Sequence, residues 1–252
     1  MRSTLYALYI YVVFLSCSVL GFGLAIVVRL LGLLHVDNAA HKLNILTHNI
    51  IFGLPLKLMP IWKVAETSRS NLNRKVIIVS NHLSLIDAAV ITAHFIKYNY
   101  RIVFVGRSGQ DKIPFVGWNL KLLGHVFIEF KPGNKAVGDS VRRAMDKLHS
   151  TINRAQRIAV VFFGTGLFQN PDEDPLDYQL KSGPFTLAKK SNIVIVPTWL
   201  RGTDEAMRPS DPFSVHPATL SVLTGDEISC NNRSIDDCKR ECKLQLSQLR
   251  QR

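Results

Sequence analysis

The stretch Val76-Ile77-Ile78-Val79-Ser80-Asn81-His82-Leu83-Ser84-Leu85-Ile86-Asp87 decides how the rest of the chain is read. Its first four residues form an unbroken β-branched run, the pattern of a strand buried on both faces. A histidine and an aspartate follow, five positions apart. That spacing lets the chain leave the strand, turn, and bring Asp87 back toward His82 on the first turn of a helix. A carboxylate on one ring nitrogen fixes the imidazole tautomer and leaves the other nitrogen free to take a proton from an alcohol. Ser84-x-x-Asp87 also has the form of a capping box, with Ser84 capping the helix and Asp87 bonding back to it. The two roles are compatible in the same residues.

Outward from this stretch, β-branched runs alternate with helical patterns. Strands are expected at Val76–Val79, Ile102–Val105, Val126–Phe130, Ile158–Phe163, Ile193–Trp199 and Leu220–Leu223. Helices are expected at Leu85–Lys97, Trp118–Leu123, Lys135–Arg154 and Phe185–Lys190. Such alternation predicts an α/β fold with a largely parallel sheet flanked by helices. Ligands in these sheets bind beyond the carboxyl ends of the strands. His82, Gly106-Arg107, Gly164-Thr165 and Pro197 are expected there, lining one cleft. At the C-terminus Ser234-x-x-Asp237 reads as a helix start, and Ile235, Cys238, Cys242, Leu246 and Leu249 form one apolar stripe, expected to dock on the domain in preference to contacting a membrane.

Residues 5–28 carry no charge and are long enough to span a hydrocarbon core as a helix. The run is longer than the apolar region of a signal peptide, and no clean cleavage site follows it. A second segment, about 43–62, is interrupted by His48, Pro55 and Lys57 and fits an interfacial or re-entrant helix pair better than a span. The expected organisation is therefore an N-terminal transmembrane or membrane-embedded unit, 1–62, and a domain from 63 to 252 that includes the amphipathic helix at about 234–252. The formal net charge of +12 is spread along the chain. Without zinc-finger spacing, an RNA-recognition motif or basic helix repeats, it points to anionic lipid headgroups and phosphate-bearing substrates, not nucleic acid. Cys17, Cys230, Cys238 and Cys242 lack metal-site spacing and are expected as buried or helix-face thiols. Asn232-Arg233-Ser234 matches a glycosylation sequon, a pattern common by chance.

Asn81-His82-x-Ser84-x-x-Asp87 resembles the N-H-x-S-x-x-D form of the HxxxxD glycerolipid acyltransferases, the family of bacterial 1-acylglycerol-3-phosphate acyltransferase. Further blocks follow in the family's order. Arg107 and Lys112-Ile113-Pro114-Phe115-Val116-Gly117-Trp118, then Gly124 and Val126-Phe127-Ile128-Glu129-Phe130, resemble the second block. The family's terminal Arg there, linked to headgroup phosphate, is Phe130 here, followed by Lys131. The third block, FPEGT in the family, reads Val161-Phe162-Phe163-Gly164-Thr165: the Gly-Thr is kept and the Pro and Glu are not. Lys181-Ser182-Gly183 with Leu187-Ala188 resembles the K-x-G-x-x-x-L-A block, and Ile193-Val194-Ile195-Val196-Pro197 the fourth. The resemblance covers about Val76 to Gly202, half the chain.

The resemblance implies transfer of a fatty acyl group from acyl-CoA or acyl carrier protein, as co-substrate, to a lipid hydroxyl. His82 would be the base and Asp87 its orienting partner, with Arg107, Lys181, Thr165 and Gly166 as substrate-binding residues. It implies no metal and no cofactor. The acceptor it points to is 1-acylglycerol 3-phosphate, giving phosphatidic acid. The altered third block leaves open another lysolipid, an aminolipid, or a non-catalytic lipid-binding relative. The partners are then membrane lipids and the acyl donor. The expected location is a membrane, integral or monotopic, with the catalytic domain on the cytoplasmic side. A membrane-anchored hydrolase is disfavoured because no G-x-S-x-G elbow accompanies Ser80 or Ser84.

Overall fold

The structure, a computed structural model, describes residues 2–65, 72–131 and 135–252. The chain opens with helices α1 (Arg2–Leu33), α2 (Asp37–His48) and α3 (Leu54–Leu58), the last two joined by a π-helical turn at Asn49–Gly53. Strand β1 (Trp62–Val64) and strand β2 (Lys75–Ser80) lead to α4 (Asp87–Phe95), β3 (Arg101–Arg107), α5 (Val116–Leu123) and β4 (Val126–Ile128). A small hairpin, β5 (Phe130–Lys131) and β6 (Lys135–Ala136), precedes α6 (Gly138–Arg154) and β7 (Ile158–Phe163). Helix α7 (Gly183–Ser191), β8 (Val194–Arg201), α8 (Thr203–Ala206), β9 (Ala218–Thr224) and α9 (Ile235–Gln251) complete the chain.

Among the described residues the main sheet has the order β1-β9-β8-β2-β7-β3-β4. Every pairing is parallel except β8 with β9. Alternation along β2 explains why its sequence is apolar throughout. Val76 and Ile78 join a core shared with the N-terminal helices and α4, whereas Ile77 and Val79 join the opposite core under α6, α7 and α9. Ser80 pairs with Phe163 on β7, and Phe104 on β3 pairs with Val161. The carboxyl ends of β2, β7 and β3 are therefore neighbours.

The expected strands and helices are present with shifted ends. Helix α4 starts at Asp87, two residues later than expected, and passes through a 3-10 turn that Asn99 ends in a left-handed conformation (φ 63°). The helix expected from Lys135 starts at Gly138, because Lys135 and Ala136 pair with β5 instead. The strand expected over 126–130 is split for the same reason. Pro197 does not follow a strand end. It lies inside β8, opposite Val79, and its carbonyl accepts from Gly225 N. In α9, Cys238, Cys242, Leu246 and Leu249 are buried against the domain. Ser234 Oγ caps it by accepting from Asp237 N at 3.0 Å.

Helix α1 is, among the described residues, the one long and apolar enough to cross a membrane. One stripe, including Ala7, Ile10, Ala25 and Val28, packs into the core. The other side shows Leu5, Leu8, Val12, Leu15, Leu20 and Leu30 to the outside. A helix apolar on both sides matches an element with protein on one face and lipid on the other. The segment 43–62 is folded into the protein: Asn44, His48, Ile51, Phe52 and Leu56 are buried, and Trp62 already belongs to β1.

Candidate active site

His82 sits two residues past β2. Its Nδ1 lies 2.8 Å from Asp87 Oδ2, and the same oxygen accepts from Leu83 N at 2.7 Å and Ser84 N at 2.8 Å. Asp87 is fully buried at the first residue of α4, where helix N-terminal amides favour a negative charge. With two backbone N–H groups already donating to it, this oxygen is an acceptor, so the ring nitrogen facing it is Nδ1–H and the lone pair is on Nε2. No described residue is hydrogen-bonded to Nε2, and the side chain is 19% exposed. That nitrogen is the free base of the arrangement.

Only half of the expected capping box forms. Asp87 bonds back to Ser84 N, but Ser84 Oγ donates to Met207 O at 2.5 Å instead of capping the helix. Asn81 is fully buried and bridges to β8, donating to Leu200 O at 2.9 Å and accepting from Leu200 N at 2.7 Å. Asn81 and Ser84 therefore fix the turn on which His82 and Asp87 meet.

The loop after β7 closes over this turn. Gly164 N donates to Ser80 O and Gly164 O accepts from Lys181 N. A Cβ at Gly164 would lie 2.7 Å from Leu180 Cδ2 and 3.2 Å from Val79 Cγ1, and Gly166 has φ 77°. Gly166 has the backbone sign that favours glycine, whereas a larger residue at Gly164 would press on the Leu180 and Val79 side chains. Gln169 brackets His82, donating its N–H to His82 O while its Oε1 accepts from His82 N. Its Nε2 donates to Thr165 Oγ1, which also donates to Leu167 O at 3.0 Å. The Thr165 hydroxyl is thus engaged within the loop. Phe163 and Phe168 lie against the His82 ring, with centroids at 3.8 and 3.9 Å. Gln169 and Phe168 carry no periodic signal in the sequence. Phe163 stands in the sequence where the third block has Glu.

Of the expected substrate contacts, Lys181 is exposed and its side chain runs beside Gly166, where an added Cβ would be 3.8 Å from Lys181 Cε. Arg107 is exposed at the end of β3, one strand over, with its guanidinium 4.6 Å above the Phe130 ring. Phe130 thus supports a cation next to the position where the resembling family has one. Lys131 is exposed on the hairpin. Pro197 lies within β8 and shapes the sheet, not the rim of the cleft. A cavity of about 940 Å³ at Asn73, Arg74, Lys75, Gln156 and Asn192 lies at the starts of β2, β7 and β8, the far end of the sheet from His82. Chemistry, not volume, selects the site. Among the described residues no group of three His, Cys, Asp or Glu side chains is placed to hold a metal ion.

A second histidine pair was not anticipated. His48 Nε2 and His125 Nε2 are 3.1 Å apart and fully buried. Phe104 N donates to His125 Nδ1 at 2.8 Å, and His48 Nδ1 lies 2.8 Å from Asn44 O. These partners specify one arrangement of protons: His125 carries its hydrogen on Nε2 and donates to His48, which donates from Nδ1 to Asn44 O. Burial pushes His48 down to about 4 and His125 well below the usual range, with Arg101 adding to both.

The Acyltransferase family model matches residues 62–201, more than half of the chain. The chain belongs to the Acyltransferase family. The match encloses every residue of the site, from His82 to Lys181, and leaves α1, α2, α3 and α9 outside. A 1-acyl-sn-glycerol-3-phosphate acyltransferase of Chlamydomonas reinhardtii is 24% identical over 185 residues, covering 71% of this chain and 51% of that protein. A chloroplastic one of Arabidopsis thaliana is 26% identical over 171 residues, covering 67% of this chain and 44% of that protein. The chain spans about half the length of these curated relatives. In architecture it resembles the crystal structure of PlsC, the 1-acyl-sn-glycerophosphate acyltransferase of Thermotoga maritima. The TM-score is 0.77 at 19% identity, over 99% of this chain and 95% of that one. The acyltransferase fold therefore extends over the N-terminal helices as well as the matched domain.

Proposed function

We propose that the protein transfers a fatty acyl group from a thioester, acyl-CoA or acyl carrier protein, to the hydroxyl of a lysophospholipid. The acceptor we assign is 1-acylglycerol 3-phosphate, giving phosphatidic acid. The observation that carries the chemistry is the His82–Asp87 pair, with Nδ1 held at 2.8 Å and Nε2 open. Nε2 takes the acceptor's proton as its oxygen attacks the thioester carbonyl. The new C–O bond forms, the C–S bond breaks, and the leaving thiolate receives the proton from the imidazolium. Asp87 stabilises that imidazolium and keeps the ring in one tautomer. The thioester is already activated, so no acyl-enzyme is required.

Support for the acceptor comes from the relatives named for that activity and from two exposed cations, Arg107 at the end of β3 and Lys181 beside the loop that follows β7. Phosphate would meet these side chains and the backbone at Gly166, where nothing projects from Cα. Phe163 in place of the third block's Glu favours a second reading, in which another lysolipid or an aminolipid is the acceptor. The outward face of α1 would seat the protein on or in the bilayer, with the cleft on the cytoplasmic side and the helices and domain acting as anchor and enzyme.

Acyl transfer from labelled acyl-CoA or acyl carrier protein to a panel of lysolipids, by wild type and His82→Ala, tests this. Product from lysophosphatidic acid that is lost in the variant is expected. Product from a different acceptor would replace the assigned one. Equal product from both proteins would end the mechanism.

A further inference from the structure

The His82 ring is enclosed to a degree that its hydrogen bonds do not require. Phe163 lies parallel to it, 3.8 Å between centroids and 11° between planes, and Phe168 lies at 3.9 Å and 32°. Two rings that close and that nearly parallel to the same imidazole cannot share one face without overlapping, so they cover opposite faces. Phe163 is anchored from behind by the sheet, stacked at 14° on Phe104. Phe168 is 43% exposed, so its position is not explained by burial in a core. It is held by the loop that carries it, which Gly164 pins to Ser80 and Gln169 pins to both backbone groups of His82.

We propose that Phe168, working against Phe163, is a positioning residue for His82, clamping the imidazole so that only its Nε2 edge meets the acceptor hydroxyl. The inference rests on His82 being the base of the proposed transfer. Asp87 holds the ring at Nδ1 and the chain holds it at Cγ, which still leaves rotation of the ring about the line joining those two points. The two phenyl rings remove that rotation. They also keep water off both faces, so that the exposed 19% of the side chain is an edge. An acceptor hydroxyl must approach in the ring plane, the direction of the Nε2 lone pair. Phe163 also occupies the place of a polar residue in the third block, so the inner wall against the base is apolar in this chain.

The test uses the full-length protein in detergent or vesicles, with Phe168→Ala, Phe168→Leu and Phe168→Tyr. Because the ring is on the surface, all three should melt near the wild-type temperature. Phe168→Ala should lower kcat on the order of tenfold while leaving the acceptor KM nearly unchanged, since orientation and not binding is lost. Phe168→Tyr should restore kcat, and Phe168→Leu should fall between. A second readout is independent of turnover: carbethoxylation by diethyl pyrocarbonate, followed at the peptide containing His82, should be several-fold faster in Phe168→Ala. Wild-type kcat together with wild-type modification rate in Phe168→Ala would overturn the clamp. Faster modification in a protein whose wild type acylates no lysolipid would sink the proposed function and leave the clamp standing.

Discussion

Two pairs in this molecule, His82–Asp87 and His48–His125, use the imidazole to opposite ends. His82 has one nitrogen on the Asp87 carboxylate and the other without a hydrogen-bond partner among the described residues. His48 and His125 have every nitrogen matched to a neutral partner in a closed core. A charge forming on His82 meets Asp87. A charge forming on His48 is opposed by burial and by Arg101, with the Asn44 carbonyl as its one favourable partner. An imidazole thus becomes a base through an unfilled lone pair beside a fixed anion, and becomes structure when both nitrogens are filled by neutral groups. The buried pair also joins α2 to the segment between α5 and β4, binding the N-terminal helices to the domain that carries the site.

The contrast can be broken most severely at His82. His82→Ala should lower kcat/KM for acyl transfer by roughly 10²–10⁴-fold, whereas His125→Phe should leave the rate per folded molecule within a few-fold of wild type. A comparable loss from both would erase the distinction. Asp87→Asn comes next. Its amide oxygen can still accept from Leu83 N and Ser84 N, so the fold should persist while transfer falls about 10²-fold or more. A fully active Asp87→Asn protein would remove the orienting role.

At the buried pair the readout is stability. His125→Ala strands Phe104 N–H and His48 Nε2 in the core, which should cost about 3 kcal/mol in urea unfolding at neutral pH. The smallest effect is the pH dependence. The folded protein holds His48 at about 4, below its ordinary 6.5, so between these values the unfolded chain binds the extra proton. Stability is therefore complete above about pH 6.5 and falls as pH drops toward 4, by about 3 kcal/mol from this residue. Replacing both His48 and His125 by Leu should flatten that part of the unfolding profile. An unchanged slope would assign the acid sensitivity elsewhere, His94 being the first candidate because burial holds it at about 4 as well.

The difference in legibility between the two pairs has a physical origin. His82 and Asp87 are close in sequence and flanked by a strand run and a helix start, so local geometry alone brings them together. The long apolar helix, the docked stripe of α9 and the parallel sheet were readable for similar reasons, since periodicity and run length report burial directly. His48 and His125 are separated by 77 positions. Each sits in an unremarkable helix end or turn, and nothing in either segment signals the other. The π-helical turn at Asn49–Gly53, directly after His48, was equally silent.

The chain's own order of residues was sufficient for the α/β class, the placement of His82 and Asp87 just past a strand end, and the exposure of Arg107 at the end of β3. Those features arise from short-range spacing and from which residues water excludes. Tertiary packing alone determined that Phe163 and Phe168 close on both faces of His82, and that Gln169 tethers the loop to it. It also placed Pro197 inside a strand and a neutral histidine pair beneath the N-terminal helices. Each of these joins segments distant in sequence, and the contacts exist only after the sheet has set which strand ends are neighbours.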